Sequence, residues 1–125
     1  MLMKTSILYF DDEEPLLEMF RAMFADQYEV RTTTSLAEAR RQLSQCTTDI
    51  IISDQNMPEI EGTEFLREAS EVCPQSVRIL LTGHITVGEV FGEVITGIIH
   101  SFVPKPWTME EMQRVLERAG SLLDK

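Results

Sequence analysis

Three aspartates, a threonine and a lysine stand where apolar runs of this chain end. Ile7-Leu8-Tyr9-Phe10 runs into Asp11-Asp12-Glu13-Glu14, and Ile50-Ile51-Ile52-Ser53 runs into Asp54. Val77-Arg78-Ile79-Leu80-Leu81 ends on Thr82, and Ser101-Phe102-Val103-Pro104 on Lys105. Short apolar runs of this kind read as buried strands, so each delivers its polar group to a carboxyl end. Three carboxylates brought together repel one another unless a cation sits among them. Mg²⁺ (or Mn²⁺) accepts hard oxygen ligands and keeps some water. Asp11, Asp12, Asp54, a main-chain carbonyl from the following loop and water would satisfy it. Lys105 and Thr82 then add an ammonium and a hydroxyl, which fits a phosphoryl group carried on Asp54. Catalysis of that kind rests on positioning and charge stabilisation. Gly83 leaves room for an entering phosphodonor, and Pro106 makes a cis peptide accessible after Lys105.

The elements that must place these groups alternate between strand and helix. Strands are expected at residues 6–10, 28–32, 49–53, 77–81 and 99–103. The first helix follows Pro15 and carries Leu16, Leu17, Phe20, Met23 and Phe24 at helical spacing. Ser35-Leu36-Ala37-Glu38 reads as a capping box for a second helix that runs to about Ser44. A third helix spans Gly62 to Val72 and stops at Cys73-Pro74. Val87, Val90, Phe91, Val94, Ile95 and Ile98 form the stripe of a fourth. Thr108-Met109-Glu110-Glu111 caps the last, lined by Met112, Val115, Leu116, Ala119 and Leu123. Repeated strand–helix units predict an open parallel sheet with helices on both faces. Ligands of such sheets bind beyond the carboxyl ends of the strands, where all the residues above lie.

Bulk properties narrow the function. A chain of 125 residues with 43% hydrophobic residues suits one globular domain, residues 1–125. A net charge of −10 argues against direct binding to nucleic acid or to an anionic membrane, since both need a cationic face. Cys46 and Cys73 are isolated and show no metal or disulfide spacing, so a reducing cytoplasm is the expected compartment. No run has the length of a membrane span.

Taken in order, Asp11-Asp12, Asp54 with Met57-Pro58 and Gly62 behind it, Thr82-Gly83 and Lys105-Pro106 resemble the receiver domain of two-component response regulators. The resemblance covers essentially the whole chain. It implies a flavodoxin-like (βα)5 fold of strand order 2-1-3-4-5. It implies that a sensor histidine kinase, a histidine phosphotransfer protein or a small phosphodonor phosphorylates Asp54 with Mg²⁺ present. Asn56 is implied to give its main-chain carbonyl to the metal. Thr82 is implied to move toward the phosphoryl group, and Phe102 to repack behind it. Phe102 stands where the family often has tyrosine, so a phenolic hydrogen bond is missing from that step. Pro104 removes an amide donor next to Lys105.

Several residues keep two readings. Phe102 reads equally as a core aromatic and as a switch. His84 is either a solvated loop histidine or, with Asn56, a flank of the path of an attacking water. His100 carries no signal, and Trp107 reads as an apolar anchor. Gly88, Gly92 and Gly97 weaken the fourth helix by roughly 1 kcal/mol each relative to alanine. That helix is therefore expected to be the least stable, and to join the fifth strand and the last helix in a surface for an output domain, a partner protein or a second copy in a homodimer. Two other functions compete with a phosphorylation switch. A Mg²⁺-dependent phosphatase with an aspartyl nucleophile usually has its general acid two residues on, where this chain has Asn56. A receiver-like interaction module would never be phosphorylated at all.

Overall fold

Isoleucines 50, 51 and 52 have no face to spare for water, and in the computed structural model all three are fully buried. The structure describes residues 4–45, 47–83 and 96–123. Five strands, β1 (Ser6–Phe10), β2 (Glu29–Thr33), β3 (Ile50–Asp54), β4 (Val77–Thr82) and β5 (Ser101–Pro104), form one sheet. All pairings are parallel, and the order is β2-β1-β3-β4-β5. Three helices, α1 (Glu14–Phe24), α2 (Leu36–Ser44) and α3 (Gly62–Val72), precede a C-terminal helix at Met109–Leu123. The expected fourth helix as far as residue 95, His84 and Cys46 lie outside the described residues, but Gly97 and Ile98, expected at its end, stand instead in a turn before β5, with Gly97 at φ +80°. Among the described residues no helix is long and apolar enough to cross a membrane.

Alternation along each strand divides the core in two. Ile7, Tyr9, Ile50, Ile52, Ile79 and Leu81 pack with Leu17, Phe20 and Phe24 of α1 and with Met112 and Leu116 of the C-terminal helix. Leu8, Phe10, Ile51 and Leu80 pack on the other face with Ala39, Leu43, Phe65 and Leu66 of α2 and α3. Each fully buried aliphatic side chain contributes about 1.5–3 kcal/mol relative to exposure. The edge strand β2 is only half-buried along most of its length, as its mixed composition predicts.

Helix starts follow local chemistry. Thr108 and Glu111 form a full capping box: the Thr108 amide donates to Glu111 Oε1 at 2.8 Å, and the Glu111 amide to Thr108 Oγ1 at 3.1 Å. The box expected at Ser35 is only half made. Ser35 Oγ accepts from the Glu38 amide at 3.2 Å, but Glu38 turns away to Arg41 and Gln42. The Ser35 amide donates instead to Thr33 Oγ1. Sheet pairing also moves β2 and β3 one residue later than the apolar pattern suggests, and starts β5 two residues later.

Far from the strand carboxyl ends, the sheet holds a buried cation that the sequence hides. Arg78 is 4% exposed and donates to the carbonyls of Ile98, Gly97, Ser76 and Cys73 and to Ser76 Oγ. Gly97, at φ +80°, makes the turn that presents its carbonyl. His100, which carries no signal in the sequence, belongs to this network. Its Nδ1 accepts from the Arg78 amide at 2.9 Å. Burial, and then the Arg78 charge, hold its pKa below the ordinary histidine value. The unfolded chain therefore takes up the His100 proton first as pH falls, so this contribution to stability is complete above about pH 6.5 and is lost below it. Denaturant unfolding between about pH 7.5 and 5.5 is expected to show that loss, and His100→Gln is expected to flatten it. Parallel pH profiles for the two chains would refute the assignment.

Candidate functional site

Because β1 and β3 are neighbours in register, Phe10 opposite Ser53, the residues that follow them meet at one edge. Asp11 is fully buried and Asp54 is 4% exposed, while Asp12 faces solvent. One carboxylate oxygen from each of the three lies within 4.8 Å of the others. Adjacent in sequence, Asp11 and Asp12 thus approach from inside and outside the same cleft. Hard oxygens at this spacing fit a divalent cation.

Lys105 closes the site from β5. Its Nζ donates to Asp54 Oδ1 at 2.8 Å and lies 3.7 Å from Asp11 Oδ2 and 3.9 Å from Glu13 Oε2. The ladder between β4 and β5 sets this reach. Thr82 pairs with Pro104, and the Lys105 amide donates to the Thr82 carbonyl at 3.0 Å. Pro104 therefore costs no site contact, since the next amide makes the bond. The Lys105–Pro106 peptide is cis. Burial alone would depress the Lys105 pKa, but the Asp54 hydrogen bond and the charges of Asp11, Asp54 and Glu13 outweigh it and raise it. Burial pushes the Asp11 carboxyl above the usual range, against the Glu13 amide and Lys105, which favour the charged form.

Other expected positions fall around this cluster. Thr82 is 2% exposed at the end of β4. Leu80 pairs with Phe102, so Thr82 and Phe102 share one sheet face, two residues apart in register. Phe102 is half-buried against the α2/α3 layer, which leaves both of its readings open. Gly83 is exposed and its Cβ position is open. Asn56 and Pro106 are exposed on the rim. Trp107 anchors edge-on against Phe20, with centroids 6.3 Å apart.

Two contributors, Glu13 and Tyr9, were not singled out from the sequence, and a third, Gly62, was named without a role. Glu13 adds a third carboxylate beside Lys105, and its amide donates to Asp11 Oδ1 at 3.0 Å. Tyr9 donates its phenol to Asp11 Oδ2 at 2.9 Å. The only signal was parity, since residues 9 and 11 lie on the same side of an extended chain. Gly62 packs against the Asp54 main chain so closely that a Cβ would overlap the Asp54 carbonyl oxygen. It was visible only as a family motif.

Comparison with known proteins agrees with this geometry. The model of the response regulator receiver domain matches residues 7–117. The hydrogenase transcriptional regulatory protein HoxA of Cupriavidus necator is 29% identical over 116 residues, 93% of this chain and 24% of that one. The transcriptional regulatory protein GlrR of Escherichia coli is 29% identical over 114 residues, 90% of this chain and 26% of that one. The chain thus spans about a quarter of the length of these relatives. Chemotaxis protein CheY4 of Vibrio cholerae superposes with a TM-score of 0.85 at 25% identity, covering 94% of this chain and 99% of that one. A structure described as adenylate cyclase from Rhodopirellula baltica gives 0.88 at 28% identity, covering 98% and 91%. With its acidic cleft, its strand order and this match over most of its length, the chain belongs to the response regulator receiver domain family.

Proposed function

We propose that this chain is the phosphoacceptor switch of a two-component phosphorelay, with Asp54 as the phosphorylated residue. The observation that carries the reading is the Lys105 ammonium 2.8 Å from Asp54 Oδ1, beside carboxylates of Asp11 and Asp12 near enough to share a cation. Asp11, Asp12, Asp54 and the Asn56 main-chain carbonyl would hold Mg²⁺ (or Mn²⁺), which offsets charge on the phosphoryl oxygens. An Asp54 carboxylate oxygen forms the new P–O bond as the donor's P–N or P–O bond breaks, and the leaving group keeps the electron pair. Lys105 and the Thr82 hydroxyl receive the remaining phosphoryl oxygens. The step is a displacement at phosphorus with no proton transfer built into it, so orientation and charge supply the catalysis.

Signal output follows from the shared face of Thr82 and Phe102. A Thr82 side chain drawn toward the phosphoryl group vacates space that the half-buried Phe102 ring can enter. The surface around β5 and the C-terminal helix then changes its partner affinity. The phosphodonor is a sensor histidine kinase, a phosphotransfer protein or a small acyl phosphate in the cytoplasm. The target is an output domain or protein. With a net charge of −10, the chain itself is not expected to contact DNA, whatever its longer relatives do.

The test is to add Mg²⁺ with acetyl phosphate, or with beryllofluoride, and record amide spectra and intact mass. One phosphoryl group per chain, with shifts spreading from Asp54 to Phe102 and absent in Asp54→Ala, is the expected result. Steady turnover of many phosphoesters would favour a phosphatase instead, and no response would leave an unphosphorylated interaction module.

A further inference from the structure

Tyr9 lies in the middle of the core layer beneath α1, with no solvent exposure. Its ring packs edge-on to Phe20, with centroids 5.0 Å apart and an interplanar angle of 68°. Packing alone would be served as well by phenylalanine. A buried phenol is costly without a partner, and this one has Asp11 Oδ2 at 2.9 Å. The bond runs from the centre of the core to the innermost carboxylate of the acidic cleft.

Asp11 is pinned on both oxygens. Oδ1 accepts from the Glu13 amide at 3.0 Å, and Oδ2 accepts from Tyr9 with Lys105 at 3.7 Å. Of the two groups near Oδ2, Lys105 is shared with Asp54 and Glu13 and is needed by a phosphoryl group once one is present. Tyr9 has no such competing task, and its ring is locked by Phe20. It is the constant member of the pair.

We infer that Tyr9 is a positioning residue for the divalent cation: its hydroxyl fixes the plane of the Asp11 carboxylate so that the acidic cleft is preorganised before the metal arrives. This rests on the reading of Asp11, Asp12 and Asp54 as the cation site. Partners behind a ligating carboxylate commonly matter 10–100-fold in metal affinity, and a hydroxyl locked by an aromatic core belongs in that class.

The measurements are Mg²⁺ affinity by calorimetry, the Mg²⁺ concentration for half-maximal labelling by acetyl phosphate, and unfolding without metal. Tyr9→Phe is expected to weaken Mg²⁺ about tenfold and to raise the half-maximal concentration by the same factor. Its labelling rate at saturating Mg²⁺ should stay within about twofold of the unsubstituted chain, because the phosphoryl contacts are untouched. Tyr9→Leu should match Tyr9→Phe in Mg²⁺ affinity while also losing stability, which separates the hydroxyl from the ring. On an Asp11→Ala background, Tyr9→Phe should cost no further affinity, since it acts through Asp11. Unchanged Mg²⁺ affinity in Tyr9→Phe, or an equal loss on the Asp11→Ala background, overturns the assignment while leaving the switch intact. A parent chain that binds no Mg²⁺ overturns both.

Discussion

Gly62→Ala is expected to destabilise the chain by about 3 kcal/mol or more, although it adds a single methyl group at the first residue of a helix. Alanine is ordinarily the better helix former there by about 1 kcal/mol, so the sign itself is diagnostic. The new Cβ would sit inside contact distance of the Asp54 carbonyl oxygen and 2.7 Å from Leu80 Cδ1. Leu80 can turn, but the Asp54 carbonyl cannot. It belongs to the last residue of β3, and the Gln55 amide just beyond it is held by the Leu81 carbonyl. The Gly62 amide is itself bonded to the Gln55 carbonyl at 2.9 Å, so α3 cannot back away without breaking its own anchor. A loss of this size is a large part of the 5–15 kcal/mol that holds a domain folded. Urea midpoints should fall sharply for Gly62→Ala and stay near the parent for Gly83→Ala, whose Cβ position meets no atom of the described residues within 4 Å. Equal midpoints would mean that α3 does not press on the end of β3.

That contact marks where sequence reading stops. The apolar runs dictate which residues are strand, and strand parity dictates which side chains share a layer. Asp54 at the end of Ile50–Ile52 and Lys105 after Val103 were therefore legible as strand-end groups. Their meeting depends on the β1-β3-β4-β5 neighbourhood, which came from resemblance rather than pattern. Distances between atoms of different strands are fixed by register and packing, and single residue types carry neither. Arg78 stands inside an apolar run, and nothing in the sequence names its partners. The carbonyls of Gly97 and Ile98, about 20 residues on, join those of Cys73 and Ser76 to make its burial tolerable. Tyr9 was filed with Leu8 and Phe10 because an aromatic in a strand needs no further explanation. The half-made box at Ser35 failed for a local reason, since Glu38 found stronger partners in Arg41 and Gln42 than in an amide behind it.

Lys105→Met should change the chemistry and the metal in opposite directions. Removing the ammonium from 2.8 Å beside Asp54 Oδ1 deprives the transferring phosphoryl group of a preorganised cation, a loss typically worth about 10²–10³-fold in rate. The same substitution removes a positive charge from a cleft that must attract another. Charges a few ångströms apart near a protein surface interact by up to a few kcal/mol, and every 1.4 kcal/mol is tenfold, so Mg²⁺ affinity is expected to rise by about tenfold or more. Without metal, the variant should be less stable than the parent at neutral pH, because Asp54 and the fully buried Asp11 lose their shared counter-charge. Saturating Mg²⁺ should return much of that stability, since a ligand that binds only the folded chain stabilises it by mass action. Lys105→Arg keeps the charge on a wider head, and should hold Mg²⁺ affinity near the parent while labelling still slows. Stopped-flow labelling with acetyl phosphate, calorimetry with Mg²⁺ and urea unfolding with and without the metal read the three effects separately. If Lys105→Met bound Mg²⁺ more weakly and was labelled at the parental rate, the ammonium would be a structural clasp for Asp11 and Asp54 and not the partner of a phosphoryl group.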